Sequence, residues 1–199
     1  MNLWWLIVSG VGLIVLGLSV AHARKPSIGA TEARVFHAIN GLPNVLYWPL
    51  WLPMQLGNLA VGTGVGLLVA LVARDLTIAI GVVLAMVFKL VTERIVRREM
   101  ADYLAIRQRP GTSEVGAVLR GGDVPTSGPS FPSGHVILVA AIGTVVAPIL
   151  AVSWTWAPVI AVLLVMLGRV YVGAHNPLDV TAGLGAGLLL GGIIACFVN

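Results

Sequence analysis

Residues 132–152 read PSGHVILVAAIGTVVAPILAV, a short polar turn, Pro132-Ser133-Gly134-His135, that opens directly onto an apolar run. A second segment, Arg169-x5-His175-x3-Asp179, repeats the arrangement, with the arginine inside one apolar run and the carboxylate at the mouth of the next. Runs that are apolar all round have no face to offer water, so they read as membrane spans with reactive residues at their ends. Outward from these two segments, six stretches approach the roughly 20 residues needed to cross a hydrocarbon core of about 30 Å. They are 3–21, 50–73, 76–96, 134–152, 156–174 and 178–198.

The whole chain agrees with that reading. Its 199 residues are 58% hydrophobic and 10% charged, and its mean hydropathy is +0.97, which excludes an ordinary soluble domain. The expectation is one all-α integral membrane domain over 1–199, built as a six-helix bundle. The single cysteine, Cys196, lies within the last span, which rules out an internal disulfide and a cysteine-based metal site. A net charge of +4, carried by residues flanking the spans, gives no basic arm for nucleic acid. Ala21-His22-Ala23 resembles a signal cleavage site, but the amino end lacks a positive charge and the run before it is long enough to span, so a retained helix is expected.

Between the first two spans, Val35, Phe36, Ile39, Leu42 and Leu46 recur at helical spacing, predicting a short amphipathic helix along the bilayer surface that ends near Gly41-Leu42-Pro43. Gly57, Gly62, Gly64 and Gly66 in the second span, and Gly183, Gly185, Gly187, Gly191 and Gly192 in the sixth, are read as close-packing positions, since no strand precedes them to make a nucleotide loop. One long polar segment, about 97–132, joins spans three and four. Loops of that length are usually functional or disordered. Glu114, Arg120 and Asp123 within it are candidates for selecting a headgroup, but free loop charges are usually solvated, and that is the expected reading.

Six spans place the 1–2, 3–4 and 5–6 connections on one face, and with them Arg109, Ser133, His135, Arg169, His175 and Asp179. Trp4, Trp5, Trp154 and Trp156 would mark the opposite interface, and Tyr47, Trp48 and Trp51 the near one. Arg24, Lys25, Arg34, Arg94, Arg97, Arg98, Arg107 and Arg120 fall on the site's side, against Arg74 alone on the other. The positive-inside rule therefore points the site of a multi-pass cell-membrane protein toward the cytoplasm.

The residue types suit phosphoryl transfer. A phosphoryl group in transfer spreads negative charge over its equatorial oxygens and needs fixed donors around it, a nucleophile on one side and a proton source on the other. Arg109 and Arg169 are planar cations able to bind two oxygens each. Ser133 offers a hydroxyl, and Gly134 opens a helix whose free N–H groups favour an anion. His175 precedes Asn176-Pro177, a cap and first-position pair, so Asp179 falls in the first turn of the sixth helix, within reach of the imidazole. A carboxylate that orients one ring nitrogen leaves the other free to attack phosphorus, so His175 is the expected nucleophile. His135 is the expected acid toward the leaving oxygen and later the base toward water. Singly, each motif also reads as an ordinary turn or helix end, and Arg169, costing about 2.5–3.5 kcal/mol in an apolar helix, could simply pair with Asp179. Their joint occurrence on one face favours a site.

These residues resemble the type 2 phosphatidic acid phosphatase (PAP2) superfamily, whose blocks are Lys-x6-Arg-Pro, Pro-Ser-Gly-His and Ser-Arg-x5-His-x3-Asp. The match covers about 102–179. The resemblance implies a metal-independent, cofactor-free membrane phosphatase that acts through a phosphohistidine, with His175 attacking and His135 as acid. It departs at two positions: Asp102 stands where the family has lysine, and Gly168 where it has serine. Arg107 or Arg98 is expected to replace the lysine. The expected substrate is a lipid phosphate or diphosphate held in the bilayer: a polyprenyl phosphate or diphosphate, a polyprenyl-linked sugar phosphate or a glycerophospholipid phosphate. The competing readings are a phosphotransferase acting on a lipid or sugar acceptor and a non-enzymatic anion transporter.

Overall fold

The computed structural model describes residues 3–24, 28–99, 107–122 and 124–198. Lys25, Asp102 and Asp123 lie outside them. The helices, in chain order, are α1 (Leu3–Ala23), α2 (Ala30–Asn40), α3 (Tyr47–Met54), α4 (Leu59–Ala73), α5 (Leu76–Glu99), α6 (Pro110–Ser113), α7 (Gly134–Val146), α8 (Ala157–Tyr171) and α9 (Pro177–Val198). No strand occurs among the described residues; Gln108 and Pro129 form an isolated antiparallel bridge.

The bundle departs from six straight spans. Among the described residues four segments are long and apolar enough to cross a membrane: Leu3–Ala23, Leu76–Val96, Val152–Tyr171 and Pro177–Val198. The expected second span is broken instead, Asn44–Gly57 meeting Leu59–Ala73 at 71°. Asn58 makes the break by taking an extended backbone and accepting hydrogen bonds from Ala60 N and Val61 N, which restarts the helix. The expected fourth span is shortened to Gly134–Ile149. Those 16 residues rise about 24 Å at about 1.5 Å each, and Pro148 lies in the closing 3-10 turn.

The short helix is the centre of the molecule. From Val136 to Val146 every residue of α7 is buried, because α4, α5, α8 and α9 all pack on it. Such a helix has no polar stripe since it has no outer face.

Glycines set how closely α9 approaches its neighbours. Gly183, Gly187 and Gly191, spaced by four, face α7: a Cβ at Gly187 would lie 2.7 Å from Ile137 O, and one at Gly191 2.8 Å from Ala141 O. Gly185 and Gly192 face α1, where a Cβ at Gly12 would in turn lie 2.7 Å from Gly185 O. The close-packing reading of these glycines fits the contacts, whereas Gly64 faces open space.

The amphipathic segment is α2, ending at Gly41 as its sequence suggests. Its inner face buries Phe36 and Asn40 and packs on α8 and α9. The Asn40 side chain donates to Val118 O (2.8 Å) and Tyr171 O (2.9 Å) and accepts from Val118 N (2.8 Å), tying the long loop to the end of α8. Tyr47 and Trp51 share a small cavity with His135 and Arg169, while Trp4 and Trp5 share an apolar groove with Thr155. The two aromatic groups therefore mark opposite ends of the bundle.

Candidate active site

Three helix ends and one loop meet at the site. The first is the end of α8, closed by a Schellman turn: Gly173 N donates to Val170 O (3.0 Å) and Ala174 N to Arg169 O (3.1 Å). Gly173 carries the positive φ of +78° that this turn requires. The chain doubles back so that His175 N also faces Arg169 O at 3.3 Å, setting the imidazole beside the guanidinium six residues earlier.

The second is the start of α9. Asp179 is fully buried, and its Oδ2 accepts the Asn176 backbone N–H at 2.9 Å, the reciprocal half of a capping box. Its Oδ1 accepts from Arg107 Nε at 2.9 Å. Arg107 also donates to both oxygens of Glu32 on α2, and Glu32 Oε1 accepts from Leu178 N (3.0 Å). Burial alone would lower the Arg107 pKa, but the carboxylates of Asp179 and Glu32 outweigh it and raise the value. Arg107, one expected substitute for the missing lysine, is thereby engaged in an internal ion-pair network and is not among the residues that line the site cavity. Arg98, the other expected substitute, is exposed on α5 and lines a neighbouring cleft with Leu90, Glu93 and Arg94, Glu93 being shared with the site cavity.

The third is the start of α7. Ser133 stands at the N-cap but makes no side-chain cap hydrogen bond. It is completely buried, and its Oγ has no hydrogen-bond partner. The Ser133 backbone is fixed nonetheless, its N donating to Asp179 O at 3.0 Å. A hydroxyl that is buried without a partner carries a desolvation cost of about 1–3 kcal/mol, which a bound ligand would relieve.

The loop supplies Arg109. Arg109 N donates to Gly128 O (3.1 Å) and Ser130 N to Arg107 O (3.1 Å), pinning residues 107–109 against 128–130. The Arg109 guanidinium donates to Ala174 O at 2.9 Å, next to His175. Two residues read as solvated charges are fixed instead. Arg120 donates to Asn40 O, Tyr171 O and Leu42 O at 2.7–3.0 Å and stacks over the Tyr171 ring. Glu114 is half-buried and pairs with the exposed His37 at 3.4 Å.

Arg109, Gly134, His135, Arg169 and His175 line one cavity of about 270 Å³. The convergence of the loop and both histidine segments, expected from span counting, is thus present. Nδ1 of His175 lies 3.9 Å from Asp179 Oδ2, close but beyond a hydrogen bond. Burial drives the His175 pKa well below the ordinary 6.5, the Arg169 and Arg109 cations push the same way, and the Ser130 carbonyl opposes them. The ring is therefore a neutral base rather than an imidazolium at neutral pH. Gly57 permits α3 and its turn to approach: a Cβ there would sit 2.6 Å from His135 Cβ. Gly168, where the family has serine, packs directly on Met54, whose Sδ would be 2.6 Å from an added Cβ.

Two cavity residues were not anticipated. Lys89 and Glu93, on α5, line the same wall and pair at 2.9 Å. Their signal was available, since two opposite charges four residues apart in an apolar span are costly and call for a reason.

Fold and cavity together define an all-helical membrane protein with a cationic, histidine-bearing pocket at one end of its bundle. Comparison with known proteins places it further. The PAP2 superfamily model matches residues 76–199, more than half of the chain. The chain belongs to the PAP2 superfamily. Over 55 residues it is 46% identical to an undecaprenyl-diphosphatase of Sulfolobus acidocaldarius, a stretch covering 27% of this chain and 26% of that relative. The chain thus matches only about a quarter of that relative's length. The fold resembles the transmembrane PAP2-type phosphatidylglycerolphosphate phosphatase of Bacillus subtilis, with a TM-score of 0.72, 19% identity, and coverage of 95% of this chain and 94% of the other.

Proposed function

We propose that this protein is a metal-independent lipid phosphatase that works through a phosphohistidine. The observation that carries the reading is the single cavity in which two histidines and two arginines surround the uncapped start of α7. Arg109, Arg169, the Ser133 hydroxyl and the first N–H groups of α7 would hold the phosphoryl oxygens. A neutral His175 nitrogen attacks phosphorus, and the P–O bond to the lipid breaks as His135 gives its proton to the departing oxygen. His135 then takes a proton from water, the hydroxyl oxygen attacks the phosphohistidine, and phosphate leaves with His175 restored. Asp179, 3.9 Å from the ring, stabilises the positive charge that develops on it without sharing a direct hydrogen bond.

The substrate class follows from the setting. The pocket lies at one end of an apolar bundle, so a lipid can keep its tail in the bilayer while its head enters. Polyprenyl diphosphates and glycerophospholipid phosphates are the leading candidates, in keeping with the names of the two relatives. The arginine excess on the site's side supports a cytoplasmic orientation.

The deciding experiment is phosphate release by detergent-purified protein from a panel of lipid phosphates and diphosphates, in the presence of chelator. His175→Ala should lower turnover by at least about 10³-fold while leaving the melting temperature near that of the parent. Strict dependence on an added divalent cation, or activity that survives the substitution, would overturn the mechanism.

A further inference from the structure

Lys89 and Glu93 are the only charged residues within the apolar span Leu76–Val96 apart from Arg94. Their side chains are largely buried, 12% and 20% exposed, and both turn into the cavity that holds His135, Arg169 and His175. A Lys–Glu pair one helical turn apart is ordinary on a wetted surface. Inside a phosphate-sized pocket it is not, because a carboxylate there repels the anion the pocket is built to hold.

The position of that carboxylate is informative. If Gly134 carried a Cβ, the atom would run into Glu93 Oε1, and it would lie 2.8 Å from Glu93 Cδ and 3.1 Å from Lys89 Cε. Glu93 therefore rests directly on Gly134, the first residue of α7, at a helix start whose N-cap Ser133 makes no side-chain cap hydrogen bond. The protein thus sets a carboxylate of its own against the helix start to which the phosphate reading assigns an oxyanion of the substrate, with Lys89 as its ion-pair partner.

We propose that Lys89 and Glu93 form an exchangeable clamp: Glu93 fills the anion seat at the start of α7 in the resting protein, and an incoming phosphate displaces it and takes over Lys89. This rests on the phosphate-binding reading of the cavity and adds to it a binding residue on α5, outside the sequence blocks that carry the family resemblance. Lys89 then provides an additional phosphate contact from within the cavity, whose lining includes neither Arg107 nor Arg98. Glu93 sets how much anionic charge the empty pocket tolerates, so it opposes weak anions and yields to a phosphate dianion.

The test is binding of inorganic phosphate and of orthovanadate to the full-length protein in detergent, followed by calorimetry and by ligand-induced shifts in melting temperature. Glu93→Gln, which keeps the shape and removes the competing charge, should tighten phosphate binding about 10-fold. Lys89→Met should weaken it by a similar factor, and Lys89→Arg should restore most of the loss. Should Lys89→Met alone fail to fold, the neutral double variant with Glu93→Gln takes its place and should bind more weakly than Glu93→Gln by itself. Phosphate binding that is indifferent to both positions, or weakened by Glu93→Gln, overturns the clamp and leaves the phosphatase reading standing. Absence of phosphate and vanadate binding in the unaltered protein overturns both.

Discussion

The starts of α7 and α9 lie side by side, joined by the hydrogen bond from Ser133 N to Asp179 O, yet they treat their backbones in opposite ways. At α9 the chain satisfies itself: Pro177 takes the first position, Asp179 accepts the N–H of Asn176, and Arg107 and Glu32 close the network behind it. At α7 the residue best suited to capping, Ser133, caps nothing. One helix start is finished by the protein. The other is left without a side-chain cap, with Glu93 packed against its first residue, and is the start to which the proposed phosphate contacts are assigned. Two chemically similar termini thus divide into a structural member and a binding member, and substitutions at each should separate stability from affinity.

The largest effect on the structural side should come from Asp179→Ala. It removes the α9 cap and leaves Arg107, only 3% exposed, with Glu32 as its remaining carboxylate. Breaking a buried pair in this way costs about 3–5 kcal/mol, read as a fall in the denaturation midpoint in detergent. A variant as stable as the parent would show that Asp179 is not the keystone of the α9 start.

Ser133→Ala should do the reverse. Its Oγ is buried and makes no hydrogen bond in the protein, so stability should not fall and should rise by up to about 1–3 kcal/mol as the desolvation cost is removed. A hydrogen bond to a charged group is worth about 1.5–3 kcal/mol, so the inhibition constant of inorganic phosphate should rise about 10- to 100-fold. If this substitution instead lowered stability as much as Asp179→Ala, the distinction between the two helix starts would collapse.

How much of this was legible in the sequence depends on the range of the forces involved. The α9 start could be read from Asn176-Pro177 and Asp179, and the meeting of His135 with His175 from the parity of the spans, because caps and topology are written locally. Lys89 and Glu93 are equally local, two opposite charges one helical turn apart in an apolar span, as costly there as Arg169 is in its own. Arg107 shows the true limit. Its partners Glu32 and Asp179 lie 75 and 72 residues away, and only packing of α2 against α9 reveals that its charge is already committed. The broken second span and the shortened α7 belong to the same class. Asn58 is a recognisable N-cap residue, but the 71° angle between the two halves is set by their packing, and α7 can be short because other helices surround it.

The smallest predicted effect tests the pocket wall through a single proton. Burial, followed by the Arg169 and Arg109 charges, holds the His175 imidazole neutral well below the ordinary 6.5, while the same ring in the unfolded chain gains a proton near that value. Below about pH 6.5 the unfolded state therefore binds more protons than the folded one, and stability must fall as the pH drops, by up to about 1.4 kcal/mol per unit for one proton. Glu114 acts with the opposite sign in a more acidic window. Burial raises its pKa above 4.5, so the folded state binds the extra proton there and stability falls as the pH rises through that range. Melting curves of the parent and of His175→Asn, taken between pH 5 and pH 8, cancel the Glu114 contribution when subtracted. The difference should be flat above about pH 6.5 and should shrink the parent's advantage below it. A difference curve with no slope would mean that the ring takes up its proton in the folded cavity as easily as in water, and the cationic wall would not be exerting the field that the proposed phosphate contacts require.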